Sequence, residues 1–278
     1  MNSSIASRTA FAGVRPTPSV VRMLGNETSK GLILLWDNRR TILPELGVLL
    51  VFYFLIEFLV GGGRVVQALY APTLLAFSFY ALLYIVTLKM VAGTLEEMNA
   101  GTLEQIHLSP LPSWALSLCR LASAAIEAAA VTGAVAGALI LLLGIRLSYQ
   151  LAVVLPVVLT LIDVAGFALL LGALAIRVSS IGAILHVLQG IVVFLNGSFV
   201  PVNLYPGWLQ LVARLVPTTL GVEVTRRLLL QGGSLASTWS DRSLLWLLVH
   251  SGAMLVLGAL AYQFAVRRAL RDGRLGPR

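Results

Sequence analysis

Long apolar stretches separated by short polar segments make up most of the chain. A helix needs about 20 predominantly apolar residues to cross the hydrocarbon core of a bilayer. Six stretches approach or exceed that length, at roughly 42–60, 69–91, 115–143, 151–176, 181–200 and 244–266. The pattern therefore predicts an all-α membrane protein with six transmembrane helices.

The composition agrees with this pattern and excludes an ordinary soluble domain. Of the 278 residues, 58% are hydrophobic and 12% are charged, whereas soluble domains contain about 25% charged residues. The mean hydropathy is +0.90. The single cysteine, Cys119, rules out an internal disulfide.

The positions of the basic residues predict the topology. Short cytoplasmic segments are enriched in Lys and Arg. Six basic residues precede the first apolar stretch and five follow the last, while the two loops expected outside hold one each, Arg64 and Arg146. We therefore expect both termini in the cytoplasm. The net charge of +8 is explained by this asymmetry, so no nucleic-acid partner is expected.

The chain divides into a cytoplasmic N-terminal tail with an interfacial helix (1–40), a six-helix transmembrane domain (41–266) and a basic cytoplasmic tail (267–278). Eighteen of the twenty basic residues are Arg, which is typical of GC-rich bacterial genomes. We expect a multi-pass protein of the bacterial plasma membrane.

Residues 92–114, between the second and third stretches, read AGTLEEMNAGTLEQIHLSPLPSW. Thr102 and Gln105 have the spacing of a capping box, and Pro110 forces a helix to end by Ser109. A helix of two turns is unstable alone. The segment is therefore a cytosolic helix that needs an external partner, or else a simple surface turn.

Residues 201–243, beyond the fifth stretch, contain two further amphipathic helices. Trp208, Leu211, Val212 and Leu215 share one face of a helix that Pro217 ends. A second helix follows, with Leu220, Val224 and Leu228 as its apolar stripe, Arg226 and Arg227 as its charged side, and Gly232-Gly233 as its stop. Neither is long enough to span, so the two are surface helices or a re-entrant pair.

Two motifs resemble one known family. Gly101-Thr102-Leu103-Glu104-Gln105 followed by Ser109-Pro110-Leu111 is similar to a signature of the membrane subunits of ABC-2 type transporters. Downstream, the chain resembles the same family in Gly197-Ser198-Phe199-Val200-Pro201, Pro206-Gly207-Trp208-Leu209-Gln210, Ala213-Arg214-Leu215, Pro217 and Glu223 with Arg226. Two positions depart from the family pattern, Asn99 and Leu220.

The resemblance implies a permease subunit without catalytic residues or cofactors of its own. Residues 101–109 would be the coupling helix, using Gly101, Thr102, Leu103, Glu104, Gln105, Ile106, Ser109 and Pro110. The outer segment, with Phe199, Pro201, Pro206, Trp208, Arg214, Pro217 and Glu223, would cover the exit. Two partner ATPase subunits would bind ATP and Mg, and a second permease subunit, identical or related, would complete the pathway within membrane lipid.

Several residues inside the apolar stretches are candidates for the substrate pathway. A carboxylate at the bilayer centre costs about 2.5–3.5 kcal/mol, so Asp163, Glu127 and His186 need a structural or functional reason. Pairing among these three is one hypothesis. Phe77, Tyr80 and Tyr84 form an aromatic stripe that lines a path or packs in the core. Ala125, Ala129, Gly133 and Gly137 form a small-residue ridge that we interpret as helix packing.

No motif indicates catalysis or metal binding, because the three histidines have no metal-ligand spacing and no phosphate-binding loop is present. We expect export of an amphipathic, drug-like or lipid-like substrate. A secondary transporter or channel driven by an ion gradient is the alternative, with a membrane-embedded enzyme a distant third.

Overall fold

The structure is a computed structural model that describes residues 25–26, 29, 39–100, 113–147, 150–178 and 180–272. All extended regular structure in these ranges is helical, which confirms the predicted all-α class. The helices are α1 (Arg39–Val60), α2 (Tyr70–Asn99), α3 (Ser113–Leu143), α4 (Val154–Arg177), α5 (Ile181–Leu195), α6 (Gly207–Leu215), α7 (Thr219–Leu230), α8 (Leu235–Ser240) and α9 (Ser243–Arg271).

Four helices in the described ranges are long and apolar enough to cross a membrane: α2, α3, α4 and α9. The helix α1 has 22 residues and includes Pro44. The helix α5 has 15 residues, which corresponds to about 22 Å at 1.5 Å per residue. It therefore ends five residues before the predicted boundary at 200, because the chain turns at Asn196 and Gly197.

The helix α2 lies at the centre of the bundle, and 78% of the residues in its most apolar 18-residue stretch are buried. Its buried side chains contact α1, α3 and α4 within one large apolar core. The helix α9 lies at the periphery, and only 22% of the residues in its own most apolar 18-residue stretch are buried. Apolar side chains on its outer face, such as Val256 and Leu260, are more than half exposed in this single chain, as lipid contact requires.

The closest approach between helices joins α4 to α9. A Cβ atom added to Gly258 would lie 2.1 Å from the carbonyl oxygen of Gly166, and one added to Gly166 would lie 2.4 Å from the carbonyl carbon of Met254. Small residues allow this backbone contact. The predicted small-residue ridge of α3 is different, because added Cβ atoms on Gly133 and Gly137 would meet nothing within 4 Å.

The outer segment folds as predicted into two short helices separated by Pro217. The apolar stripe of α7 is buried against the N-terminal parts of α4 and α9, in a cluster formed by Leu159, Leu220, Val224, Leu228, Leu244 and Leu247. The stop at Gly232 is confirmed, since its φ is +66° and α7 ends at Leu230. The helix α8, which begins with a capping box between Ser234 and Ser237, was not predicted.

Candidate functional site

Asp163 on α4 and His250 on α9 form a buried polar pair between two apolar helices. The Nδ1 atom of His250 lies 3.1 Å from Oδ2 of Asp163, and Oδ1 lies at the same distance but outside hydrogen-bond geometry. Asp163 is 1% exposed. The close approach at Gly166, one turn after Asp163, brings the two side chains together.

The same pair contacts the break between α6 and α7. The backbone amide of Thr218 donates to Oδ2 of Asp163 over 3.4 Å, and Nε2 of His250 lies 3.2 Å from the carbonyl oxygen of Leu215. Helix ends leave amides and carbonyls without intrahelical partners. Asp163 and His250 therefore supply the partners that let this helix break lie against the bundle.

These contacts determine how many hydrogens the side chains of Asp163 and His250 carry between them. The Leu215 carbonyl can only accept, so Nε2 of His250 must carry a hydrogen. The second hydrogen lies between Nδ1 and the carboxyl group of Asp163, either as imidazolium with carboxylate or as neutral imidazole with carboxylic acid. Both forms have no net charge. The pair thus avoids the cost of an isolated charge at membrane depth.

Thr218 is held in a conformation that β-branched residues rarely adopt. Its φ is 82°, and the residue is fully buried. Such conformations cost on the order of 1–3 kcal/mol and persist where the surroundings determine them. The bonds from Asp163 and His250, together with Pro217, provide those surroundings at this turn.

Arg226 on α7 forms the second anchor of the outer segment. Its Nη2 donates to the carbonyl oxygens of Pro72 and Gly197, both over 2.8 Å. Burial lowers the pKa of Arg226 to about 10, and the neighbouring Glu223 partly opposes this change. The sequence placed Arg226 with Arg227 on the charged side of this helix, and in the structure the Arg226 guanidinium turns inward and joins α7 to the start of α2 and the turn after α5.

Asn196 fixes the turn that ends α5. Its side-chain amide donates to the carbonyl oxygen of Ala76 over 3.1 Å, and its side-chain oxygen accepts from the amide and hydroxyl of Ser198. Phe199 stacks on Phe194 with ring centroids 4.5 Å apart. These contacts hold irregular backbone against the bundle.

The remaining predicted residues of the outer segment lie around α6. Pro201 and Pro206 precede the 3-10 turn Val202–Leu204 and α6 respectively, and Trp208 is 68% exposed. Arg214 and Glu223 approach to 3.8 Å, the outer limit of an ion pair.

The predicted coupling residues, Gly101, Thr102, Leu103, Glu104, Gln105, Ile106, Ser109 and Pro110, lie outside the described residues, as do most of 1–38 and all of 273–278. The helices on either side of 101–112 are joined by two ion pairs. Nζ of Lys89 on α2 lies 2.7 Å from Oε1 of Glu127 on α3, and Glu97 pairs with Arg120 closer to the segment.

The structure does not bring together the three polar residues for which pairing was a hypothesis. Asp163 contacts His250, Glu127 contacts Lys89, and His186 is exposed on α5. The hypothesis of pairing among Asp163, Glu127 and His186 is wrong, since each lies on a different part of the bundle. The buried polar side chain of α5 is Gln189, which donates to the hydroxyl of Thr87 over 2.9 Å.

The aromatic stripe of α2 lies mostly inside the single chain. Phe77 is 1% and Tyr80 7% exposed, and both rings contact Phe52 of α1, while Tyr84 is partly buried beside Tyr80. In the described ranges, no group of three or more His, Cys, Asp or Glu side chains is arranged to hold a metal ion.

A comparison with known protein families finds a match that covers most of the chain. The family model described as ABC-2 type transporter matches residues 27–230, well over half of the chain. A comparison with curated proteins finds no significant match.

Proposed function

The chain belongs to the ABC-2 type transporter family, and we propose that this membrane permease component exports an amphipathic substrate with energy from a separate ATPase subunit. The matched region contains α1 to α7, including Asp163 and Arg226, whereas His250 lies beyond its end. The observation that carries the proposal is the α6–α7 pair, which is folded against the outer end of the bundle and held by Asp163, His250 and Arg226.

In the proposed topology the chain crosses the plasma membrane six times, with both termini in the cytoplasm. The helices α2, α3, α4 and α9 are long enough to cross unaided, and α1 would be a fifth crossing. The sixth would combine the 15 residues of α5 with the turn after it. Irregular backbone is tolerated at membrane depth where protein covers it. The bonds of Asn196 and Arg226 to this turn support such a crossing.

Residues 101–109 would dock on the ATPase. The two ion pairs between α2 and α3 support this role, because they would make the two flanking helices respond together when the segment moves. Lys89 and Glu127 lie deeper in the bundle than Glu97 and Arg120, so the two pairs brace the helices at two levels.

The active assembly would contain two permease subunits, identical or related, and two ATPase subunits. ATP binding would bring the ATPases together and shift the permease pair between a closed and an outward-open population. Opening would require the α6–α7 break to separate from Asp163 and His250, or to move with them.

The ion-gradient alternative receives little support from the geometry. A proton pathway needs titratable groups in sequence across the membrane, whereas Glu127 and His186 do not contact the Asp163–His250 pair. The pair's contacts are with the backbone of the outer segment, which is a structural task.

Purification of the tagged full chain from its native membranes tests the proposal. We expect a separate ATPase to co-elute, and a Leu103→Asp, Ile106→Asp variant to lose it. Leu204→Asp is the matched control, since Leu204 is 69% exposed on the opposite side of the proposed topology. A chain that purifies without an ATPase and transports in response to a proton gradient would contradict the proposal.

A further inference from the structure

Two cavities flank α7 and share three charged residues, Arg214, Glu223 and Arg227. The first has a volume of about 550 Å³ and lies between α6, α7 and the outer end of α9. The second has a volume of about 470 Å³ and lies between α7, the start of α2 and the turn at 201–203. Because the two cavities share these three lining residues, they adjoin each other, and we call the two together the outer groove.

The two halves of the outer groove differ in chemistry. The wall of the first cavity is mainly apolar and contains Leu211, Leu215, Leu220, Trp246, Val249 and Ala253. The second cavity contains three guanidinium groups, from Arg214, Arg226 and Arg227, and a single carboxylate, from Glu223. The groove is therefore amphipathic along its length.

The charges of the outer groove are incompletely compensated. Arg214 is only weakly paired with Glu223, because the closest atoms are 3.8 Å apart and the Arg214 side chain is 49% exposed. Arg227 is paired with Asp241, which lines the first cavity. Three arginines face two carboxylates, and the Asp163–His250 pair adds no net charge. One positive charge remains for an occupant to neutralise.

We propose that the outer groove binds an anionic lipid of the outer leaflet, with its phosphate beside Arg214 and Arg227 and an acyl chain along Leu211, Trp246 and Val249. These three apolar side chains are 67%, 62% and 53% exposed in the single chain, so an acyl chain would cover a surface that is otherwise open. Tryptophan near a helix end is typical of the membrane interface, where lipid phosphates also lie. The leaflet follows from the topology under the proposed function, but the binding site itself does not depend on export.

Binding of fluorescent phosphatidylglycerol to the full chain in phosphatidylcholine nanodiscs tests the proposal, with labelled phosphatidylcholine as the neutral probe. A basic residue near a membrane surface strengthens the binding of anionic lipid by about fivefold. Arg214→Gln should therefore weaken phosphatidylglycerol binding by about fivefold without changing the binding of phosphatidylcholine. Arg64→Gln is the matched control, because Arg64 is exposed in another loop on the same side and lines neither cavity.

Two further variants separate binding from folding. Glu223→Gln should strengthen phosphatidylglycerol binding, a gain that misfolding cannot produce. Trp246→Ser should weaken the binding of phosphatidylglycerol, because the apolar half of the groove contributes to affinity. For the same reason, soluble glycerol phosphate, which has no acyl chain, should compete poorly for the unmodified protein. Equal binding of both lipids, an unchanged preference in Arg214→Gln, or full competition by glycerol phosphate would overturn the proposal. Neither ATP nor an ATPase is used, so a negative result would leave the export proposal standing.

Discussion

The side chain of His250 on α9 bridges Asp163 on α4 and the end of α6, with 3.1 Å to the carboxylate and 3.2 Å to the Leu215 carbonyl. A single imidazole thus connects two membrane helices to the outer segment. Any movement of the α6–α7 break relative to the bundle must exchange these bonds or carry the histidine with it.

The Asp163 contacts predict different effects for two substitutions. Asp163→Leu removes the acceptor for Thr218 and leaves His250 unpaired, so we expect a loss of about 3–5 kcal/mol, as for other broken buried pairs. Asp163→Asn keeps an oxygen that accepts from Thr218, and its amide nitrogen, in the place of Oδ1, can donate to a neutral His250 after a small rotation, so we expect a loss below about 1.5 kcal/mol. Reversible unfolding of the purified chain in mixed micelles measures both.

His186→Leu serves as the control for His250→Leu in the same assay. His186 is exposed on α5, so its replacement should leave stability unchanged, whereas His250→Leu should be destabilising. Equal effects of the two histidine substitutions would contradict the assigned bonds.

The contact between Gly166 and Gly258 predicts a position-specific effect on α9. Gly258→Ala would place a Cβ atom 2.1 Å from a backbone oxygen, and backbone cannot yield as a flexible side chain can. We expect a loss of about 1–3 kcal/mol or more from overpacking. Gly252→Ala on the same helix meets nothing within 4 Å and should be neutral or stabilising by up to about 1 kcal/mol. Thermal unfolding in detergent measures both changes, and we expect a lower melting temperature for Gly258→Ala and an equal or higher one for Gly252→Ala.

Neighbouring arginines on α7 should behave differently. Arg226→Met leaves the carbonyls of Pro72 and Gly197 without their charged donor, and we expect a loss of about 1.5–3 kcal/mol. Arg227→Met breaks a partly exposed ion pair with Asp241 and should cost less than about 1 kcal/mol. Limited proteolysis after residue 195 would report loosening of the outer segment in Arg226→Met alone. Similar cleavage rates in the two variants would show that the inward bonds of Arg226 do not hold α7.

The apolar pattern predicted the all-α class, and proline and glycine predicted the break and the end of the helices in the outer segment. Proline cannot continue a helix and paired glycines end one, so Pro217 and Gly232-Gly233 placed the boundaries of α6 and α7 correctly. The length of α5 was overestimated, because Phe199 and Val200 continue the apolar stretch beyond the polar residues Asn196, Gly197 and Ser198, where the helix in fact ends. Their turn depends on bonds from Asn196 to Ala76, a residue 120 positions away.

The partner of Asp163 was not predicted, because pairing between distant helices depends on their packing. A signal was nonetheless present in the depths of the polar residues. In the proposed topology Asp163 lies about 14 Å from the outer end of α4, and His250 about 11 Å from the outer end of α9, whereas Glu127 lies about 24 Å from the outer end of α3. Residues at different depths cannot pair. A comparison of depths would have excluded Glu127 but would not have separated His250 from His186, which lies about 14 Å from the outer end of α5.

The sequence pattern also did not predict that the side chain of Arg226 points inward. Periodicity placed it beside Arg227 on a polar face, but the carbonyls it contacts belong to the start of α2 and the turn after α5. The Gly197 carbonyl lies in a turn and the Pro72 carbonyl in the first turn of a distant helix, and amphipathic periodicity does not report such long-range contacts.

If a separate ATPase drives this permease through residues 101–109, the co-purified complex should transport substrate after reconstitution in proteoliposomes. ATP hydrolysis and substrate movement should both be inhibited by vanadate. Leu103→Asp with Ile106→Asp should abolish ATP-dependent movement, while Leu204→Asp should not. Transport that continues at the wild-type rate in the double variant, or that the purified chain performs without any ATPase, would contradict the account.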